Sequence, residues 1–506
     1  MNIREELKKT AERLPAKNGI IYGARKITFR ELKESAFKIA AALEISGVVK
    51  GDKILTYLPN IPEFVEIYLG ALSAGVICVP IDFRIIGDEL KHIITDSDAS
   101  VIFTTADMAK PIKATGALPA RVKKLVIIGK GDESTDTDYI DFMNAGHAHE
   151  PTVPISEDDE ALFLYTSGST GRPKGVILQY RHLDLFPESL HAIIPEYCTV
   201  DTVMACMLPM SHITGPILVN TQLKYGNALV IFESWRPDTV WKAVEREKVN
   251  LFNSVPPISQ MLLADPKLEQ YDLSSLKYIS MMGMSVPKAL MEEYRRRIPH
   301  LKVIQGYGLT ETSPLLTLVP LKYADKKLGS VGKAVPGVEI KIVDENGATV
   351  ESETPGEIVV RGPQIMKGYY KQAEETAKVI KDGWFWTGDL GRIDTDGFIY
   401  HLGRSKEIII TGGINVFPAE VENVLVAHQA IMDAAVVGIP DQKRGEILSA
   451  FVVKRPGSDV TENDIVRYCR EKMADYKVPK MVRFIDALPM VGPGKVNKKV
   501  LIESAV

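Results

Sequence analysis

The sequence is poor in the features that would take it away from ordinary enzyme chemistry. Its 506 residues include four cysteines, Cys78, Cys198, Cys206 and Cys469, widely spaced and without a C-x-x-C pair. That spacing argues against both a disulfide framework and a zinc site. No uninterrupted apolar run approaches the roughly 18 residues that a membrane span needs. The N-terminal MNIREELKKTAERL is charged and helix-like, without the apolar centre of a signal peptide. Charge of one sign never accumulates: 61 Lys and Arg stand against 65 Asp and Glu, a formal charge of −4. A nucleic-acid or lipid-binding footprint is therefore not expected. Internal repeats and low-complexity segments are missing as well. These absences leave a reduced, cytoplasmic enzyme as the expectation, too long for one hydrophobic core and so built of two or more domains.

What is present is an alternation. From residue 30 to about 315, helical patterns such as Glu31 to Ile45 alternate with β-prone runs such as Ile54 to Leu58, Val76 to Ile81 and Leu125 to Ile128. Such alternation predicts an α/β architecture. After Pro336 the texture changes: Val338 to Val343, the turn Asp344-Glu345-Asn346-Gly347, and Glu357 to Arg361 predict a small β unit with hairpin chemistry. A second shift follows Gly403, where about 100 residues carry their own strands (Ile408 to Thr411, Ala434 to Val437, Ala450 to Val453) and helices (Ala419 to Leu425, Glu462 to Met473).

The densest chemistry lies in TSGSTGRPKG, Thr166 to Gly175, which holds three glycines, four hydroxyl side chains, Arg172 and Lys174. This is not a Walker loop, because Pro173 and Gly175 flank Lys174 where Gly and Ser or Thr are required. Leu162 to Tyr165 before it and Val176 to Leu178 after it suggest strand, loop, strand, and so a phosphate-handling hairpin. A flexible polar turn would give no use to Lys174. In QGYGLTET, Gln305 to Thr312, glycines beside Tyr307 would let a flat base lie on its ring, while Thr310 and Glu311 offer a hydroxyl for phosphate and a carboxylate for Mg²⁺. A strand end with a buried tyrosine is the plainer alternative. In WFWTGDL, Asp389 follows Gly388 at an expected tight turn, where a carboxylate can accept both hydroxyls of a ribose or be merely solvated. GRSKEIIITGGINVFPAEVE, Gly403 to Glu422, sets Arg404 and Lys406 before a strand, Gly412-Gly413 where backbone can approach closely, and Pro418 at a helix start. LPMVGPGKVNKKVL places Lys495 after Gly-Pro-Gly on an expected mobile loop.

TSGSTGRPKG, GYGLTE, WTGDL, GRSKEIIITGG and a late GK, in this order, resemble the adenylate-forming superfamily of acyl-CoA synthetases, luciferases and peptide-synthetase adenylation domains. The resemblance runs over essentially the whole chain. It implies a large N-terminal domain, residues 1–403, of layered α/β subdomains plus a β subdomain at about 330–402. A small mobile α+β C-terminal domain, 404–506, would be hinged at Lys406. It further implies that a carboxylate attacks the α-phosphate of ATP and that a thiol then displaces AMP. ATP, Mg²⁺, CoA and a small-molecule carboxylic acid are the expected partners, with a homodimer left open. By resemblance, Thr166, Ser167, Gly168, Ser169, Thr170, Gly171 and Lys174 would close on the β and γ phosphates. Gly283, Met284, Gln305, Gly306, Tyr307 and Gly308 would bind ATP or AMP, Tyr307 by stacking on the adenine. Thr310 would touch the α-phosphate, Glu311 hold Mg²⁺, Asp389 and Arg404 hold the ribose, and Lys495 bridge the attacking carboxylate and the α-phosphate. Lys495, Thr310, Glu311 and Lys174 would then be the catalytic set, and Gly412 and Gly413 would line the CoA channel.

The acid is less determined. LPMSHITG supplies His212 at the family's acyl gate, with Ser211 where relatives commonly have an aromatic residue, and Met282-Gly283-Met284-Ser285 stands where relatives are rich in Gly and Ala. His212, Met282, Met284 and Gly308 are thus the expected acyl pocket. Two bulky, adaptable methionines would shorten it, unless they simply pack in the core. A compact monocarboxylic acid, short branched, alicyclic or simple aromatic, is expected over a long fatty chain. The absence of an Asp near the gate disfavours an amino acid substrate. The alternatives are a ligase that loads a carrier protein, a luciferase-like oxygenase and a nucleotide-binding regulator without catalysis.

Overall fold

The protein is described from a computed structural model covering residues 1–129, 136–147, 149–166, 172–283, 286–490 and 496–505. Local sequence explains the main elements. Thr28 and Glu31 form a reciprocal capping box, so the expected helix at Glu31 starts at Phe29 and runs Phe29–Ile45. Pro62 opens the helix Pro62–Ser73, eleven of whose residues are buried. A helix apolar on every side belongs between layers. The strand Ile77–Ile81 is buried along its whole length, as expected of a parallel strand covered on both faces.

Two large sheets result. The nine-stranded sheet has a parallel centre, Lys302–Tyr307, Tyr278–Met281, Leu251–Ser254, Val203–Cys206, Ala228–Ile231 and Asn18–Tyr22 in spatial order, with short antiparallel strands at its edges. The eight-stranded sheet has the parallel series Glu160–Thr166, Ile77–Ile81, Lys53–Tyr57, Ala99–Thr105 and Lys124–Ile128. One continuous apolar core joins the two sheets, including Ile20 and Leu229 from the first and Ile54 and Leu162 from the second. Between them, Tyr68 donates to Asn220 Oδ1 at 2.8 Å in the helix Thr214–Tyr225.

Lys333–Ala334 still belongs to the nine-stranded sheet, and the antiparallel β subdomain begins at Glu339–Val343. It continues through Gly356–Arg361, Trp384–Ile393 and Ile399–Arg404. Its Asp344-to-Gly347 turn is closed by Asp344 Oδ1, which accepts from the amides of Asn346 and Ala348. One expectation is corrected. Asp389 is not at a tight turn but inside the ten-residue strand Trp384–Ile393. Gly388, at φ +70°, lies opposite a register shift, and its N–H donates to Glu357 Oε1 at 3.0 Å, so the Gly-Asp pair forms a bulge that keeps the strand running.

The smaller C-terminal domain has its own sheet, Ile414–Val416, Ile409–Thr411, Gly445–Lys454 and Ile431–Asp441, with Met481–Phe484 beside Gly445–Lys454. Its core includes Ile409, Val421, Leu425, Val436, Val452 and Ile465. No helix among the described residues is long and apolar enough to cross a membrane. All four cysteines are free and buried.

Burial pushes the carboxyl of Asp433 up to about 6, against the Ala434 N–H that lowers it and with Glu422 adding to the rise. The folded domain thus holds this proton more tightly than the unfolded chain, where Asp titrates near ~3.9. Stability is lost as the pH rises from there to about 6. Asp433→Asn should therefore raise the thermal midpoint of the C-terminal transition at pH 7 and confer no gain at pH 4; an equal gain at both would contradict the assignment.

Candidate active site

The strands on either side of the phosphate-type loop pair as a hairpin, as those flanks predicted. Strands Glu160–Thr166 and Lys174–Gln179 pair antiparallel, with Thr166 opposite Lys174 and Tyr165 opposite Gly175. Ser167, Gly168, Ser169, Thr170 and Gly171 lie outside the described residues, as do Met284 and Lys495. The outer side of the hairpin is covered by a strand that returns from the β subdomain: Gly368–Tyr369 pairs with Ile177 and Val176. This crossover carries Tyr369 to Lys174, whose ammonium sits 5.2 Å from the ring centroid. The same ammonium bonds Glu375 Oε2 at 2.5 Å. Hydrogen bonds to Lys174 and Lys378 hold the Glu375 carboxyl down at about 2.

Tyr369 also reaches the second motif. Its hydroxyl donates to Glu311 Oε1 at 3.1 Å, and Met366 N donates to the Glu311 carbonyl at 2.9 Å. Glu311 sits in the 3₁₀ turn Thr310–Thr312, locked by Thr312 Oγ1, which accepts from Leu309 N at 2.9 Å. Gly308 is required for the approach of this turn to its neighbours, since a Cβ there would fall 1.6 Å from the Pro314 carbonyl oxygen. Gln305 and Gly306 end the strand Lys302–Tyr307; Gln305 Nε2 meets Met291 Sδ, and a Cβ on Gly306 would meet the Thr317 carbonyl at 2.8 Å and Met282 Cε at 3.0 Å.

Tyr307 and Asp389 form the third part. The Tyr307 hydroxyl donates to Asp389 Oδ2 at 2.7 Å. Asp389 is only 2 % exposed and pairs across the strands with Arg404, whose Nε lies 2.8 Å from Oδ1. His401 Nε2 is 3.7 Å from the same oxygen, and its ring is 5.5 Å from that of Tyr307. Burial alone would raise the Asp389 carboxyl; His401, Arg404 and Tyr307 together hold it below the ordinary range. Burial and the adjacent carboxylate push the Tyr307 phenol well up.

The remaining positions are more scattered. Gly283, at φ +86°, is exposed at the end of its strand with open space where a Cβ would stand. His212 is open to solvent, with Nδ1 3.3 Å from Thr214 Oγ1, and the protein around it disfavours its charged form, against a raising effect of Asp82. Met282 is half-buried and lines a cavity of about 20 Å³. Gly412 and Gly413, at φ +60° and +80°, make the two-residue turn between Ile409–Thr411 and Ile414–Val416 and point into open space. Lys406 is exposed in the 3₁₀ turn Ser405–Glu407 between the β subdomain and the C-terminal sheet; its neighbour Glu407 pairs with Lys498 at 3.0 Å.

Two groups of predicted residues are thus brought together, Lys174 with Glu311 and Tyr307 with Asp389 and Arg404. The sequence reading missed the residues that join them, Tyr369, Glu375 and His401. Their signal was present in GYYKQAEET, Gly368 to Thr376, where two aromatics after a glycine precede an acidic pair, and in the histidine three residues before Arg404.

This fold, with Lys174 and Glu311 meeting at Tyr369 and a Tyr307–Asp389–Arg404 cluster at the end of the strand before Glu311, is that of the adenylate-forming class of enzymes. The chain belongs to the AMP-binding enzyme family: that family's profile matches residues 7–370, and the AMP-binding enzyme C-terminal domain matches 420–495. It is an enzyme of the acyl-CoA synthetase kind. It is 34 % identical to a feruloyl-CoA synthase of Amycolatopsis sp over 96 % of this chain and 95 % of that one. It is 33 % identical to a long-chain-fatty-acid–CoA ligase of Bacillus subtilis over 98 % and 93 %. Among solved structures, the anthranilate CoA ligase AuaEII in complex with anthranoyl-AMP superimposes with a TM-score of 0.93 at 27 % identity, covering 100 % of this chain and 97 % of that one.

The Tyr307–Asp389 bond is the contact whose loss is most readily measured. A buried hydrogen bond to a charged acceptor contributes about 1.5 to 3 kcal/mol. Tyr307→Phe should lower the thermal midpoint of the N-terminal domain with the far-UV circular dichroism unchanged; an unshifted midpoint would show that the bond contributes nothing.

Proposed function

We propose that this chain is an AMP-forming carboxylic acid:CoA ligase for a compact monocarboxylic acid. The observation that carries the reading is the convergence of Lys174 and Glu311 on Tyr369, one turn from the Tyr307–Asp389–Arg404 cluster. In the first step a carboxylate oxygen bonds to the α-phosphorus of ATP and the bond to the bridging oxygen of the β-phosphate breaks, giving acyl-AMP and pyrophosphate. In the second, a thiolate sulfur bonds to the acyl carbon and AMP leaves, the thiol proton passing to solvent. Two anions must meet in the first step, so cations and fixed donors have to face the developing charge.

In this reading Asp389 and Arg404 take the ribose, Tyr307 presents its face to the adenine, Thr310 contacts the α-phosphate, and the hydroxyl hairpin with Lys174 grips the leaving pyrophosphate. Lys174 would exchange Glu375 for phosphate when ATP arrives. Among the described residues no group of three candidate ligands clusters to cage a metal. Glu311 offers a hard carboxylate oxygen at this site, which fits Mg²⁺, an ion that keeps waters and shares substrate phosphates as ligands. When bound it would neutralise phosphate charge. The compact acid is supported by Met282, which lines a cavity of about 20 Å³ that side-chain shifts have to widen before an acid enters. His212, Met284 and Gly308 would complete that wall. The four buried free thiols suit a reduced, cytoplasmic setting.

The C-terminal domain, from about residue 404, is read as swinging about Lys406 to bring Lys495 to the active site for adenylation and the Gly412-Gly413 turn for thioester formation. Incubation with ATP, Mg²⁺, CoA and a panel of acids should release AMP and pyrophosphate; ADP, or no turnover, would refute the ligase reading. Lys495→Ala should slow adenylation by about 10² to 10³ while converting supplied acyl-AMP and CoA at near normal rate, and Gly413→Leu should do the reverse. Equal impairment of both half-reactions in single-turnover assays would refute the swing.

A further inference from the structure

The cavity beneath Met282 is not simply apolar. It lies between the nine-stranded sheet and the helices Leu185–Ile193 and Thr214–Tyr225, walled by Phe186, Leu190, Met204, Leu218, Leu251 and Ile304. Set among these are Asn253, Ser280, Thr221 and Tyr197. Among the described residues, the hydroxyl of Tyr197 and the Nδ2 of Asn253 are buried without a hydrogen-bond partner. Unsatisfied buried polar atoms are few in native proteins, and two at one cavity call for a reason. Thr221, whose hydroxyl donates to the Ile217 carbonyl at 2.7 Å and could still accept, bonds to neither group.

The strand register orders the cavity by depth. Asn253 stands beside Ser280, and Ser280 beside Ile304, in parallel register, so their side chains share one face of the sheet. Met282 follows Ser280 by two residues, on the same side, toward the active-site end, where its Cε lies 3.0 Å from the position a Cβ on Gly306 would take. Leu251 precedes Asn253 by two residues and stands beside Tyr278, whose ring stacks on that of Tyr197 at 4.2 Å. Each two-residue step is roughly 6 to 7 Å. From the active site inward the order is therefore Met282, then Asn253 with Ser280, then Tyr197 near the floor.

We infer that the acid carries a hydrogen-bonding oxygen, a hydroxyl or a carbonyl, at the end remote from its carboxylate, and that Asn253 and Tyr197 read it. This rests on the reading of the cavity as the acyl site. The Asn253 amide donates to that oxygen, and the Tyr197 hydroxyl, which both donates and accepts, meets a carbonyl or a hydroxyl equally well. Burial pushes the Tyr197 phenol far up, so it stays protonated as a donor. Met282 and Met204, unbranched and flexible, are the side chains that shift to admit a ring. A site with buried hydrogen-bonding groups rejects analogues that leave them unpaired far more strongly than an apolar site senses a methylene.

The test measures kcat/KM for AMP release with matched acids: benzoic against 4-hydroxybenzoic, cyclohexanecarboxylic against 4-oxocyclohexanecarboxylic, and 3-phenylpropanoic against 3-(4-hydroxyphenyl)propanoic. In the best-used pair the oxygenated acid should be preferred by about 10-fold or more. Tyr197→Phe and Asn253→Leu should each compress that ratio, which is internal to each variant and so unaffected by partial unfolding. AMP release with ratios within about twofold in every pair, or a preference that survives both substitutions, would mean that the two groups hold only a resident water, and would overturn this inference alone. AMP release with none of the acids would overturn the ligase reading and this inference with it.

Discussion

A buried carboxylate sets the terms for the centre of this molecule. Asp389 is nearly inaccessible to water, and an ionised group in that position is tolerated only if its neighbours replace the lost hydration. Three do so, from two structural units. Tyr307 comes from the end of a central strand of the nine-stranded sheet, while Arg404 and His401 come from the last strand of the β subdomain. The requirement to satisfy one charge therefore fixes how the subdomain docks on the large sheet. The Gly388 bulge, by bending the strand locally, is what allows the side chain to point inward at this place.

The same docking carries Gly368–Tyr369 onto the edge of the eight-stranded sheet. Tyr369 then faces Lys174 on one side and Glu311 on the other, so hairpin, 3₁₀ turn and subdomain are mechanically linked through one phenol ring. In the proposed function, a lysine already held by Glu375 and Tyr369 would be preorganised for phosphate, limiting the ordering that substrate binding has to supply. Glu375 is itself partly solvated, and water at one partner screens the pair and weakens it as a tether. In the proposed function that weakness would let Lys174 pass to a phosphate.

Much of this was readable in the residues. Parallel strands buried on both faces are continuous apolar runs, so Val76 to Ile81 and Leu125 to Ile128 were recognisable, and the hairpin around Thr166 and Lys174 followed from its two apolar flanks. Gly388-Asp389 was misread because a glycine before an aspartate looks the same in a turn and in a bulge; only pairing with Gly356–Arg361 distinguishes them. The bonds from Lys174 to Glu375 and from Tyr369 to Glu311 span 201 and 58 residues, so GYYKQAEET marks a candidate segment while local pattern does not say which distant residues it meets. Asn253 was hidden for a different reason. In LFNS it reads as a polar interruption of a core strand, and its exceptional position appears only when the rung it shares with Ser280 is known.

The central claim is that a carboxylate oxygen of the acid becomes bonded to the α-phosphorus of ATP. Acid labelled with ¹⁸O in its carboxylate tests it without mutation. After complete turnover with ATP, Mg²⁺ and CoA, mass spectrometry should find one ¹⁸O in each AMP and none in pyrophosphate. Label in pyrophosphate or inorganic phosphate, or unlabelled AMP formed alongside thioester, would contradict the acyl-adenylate account.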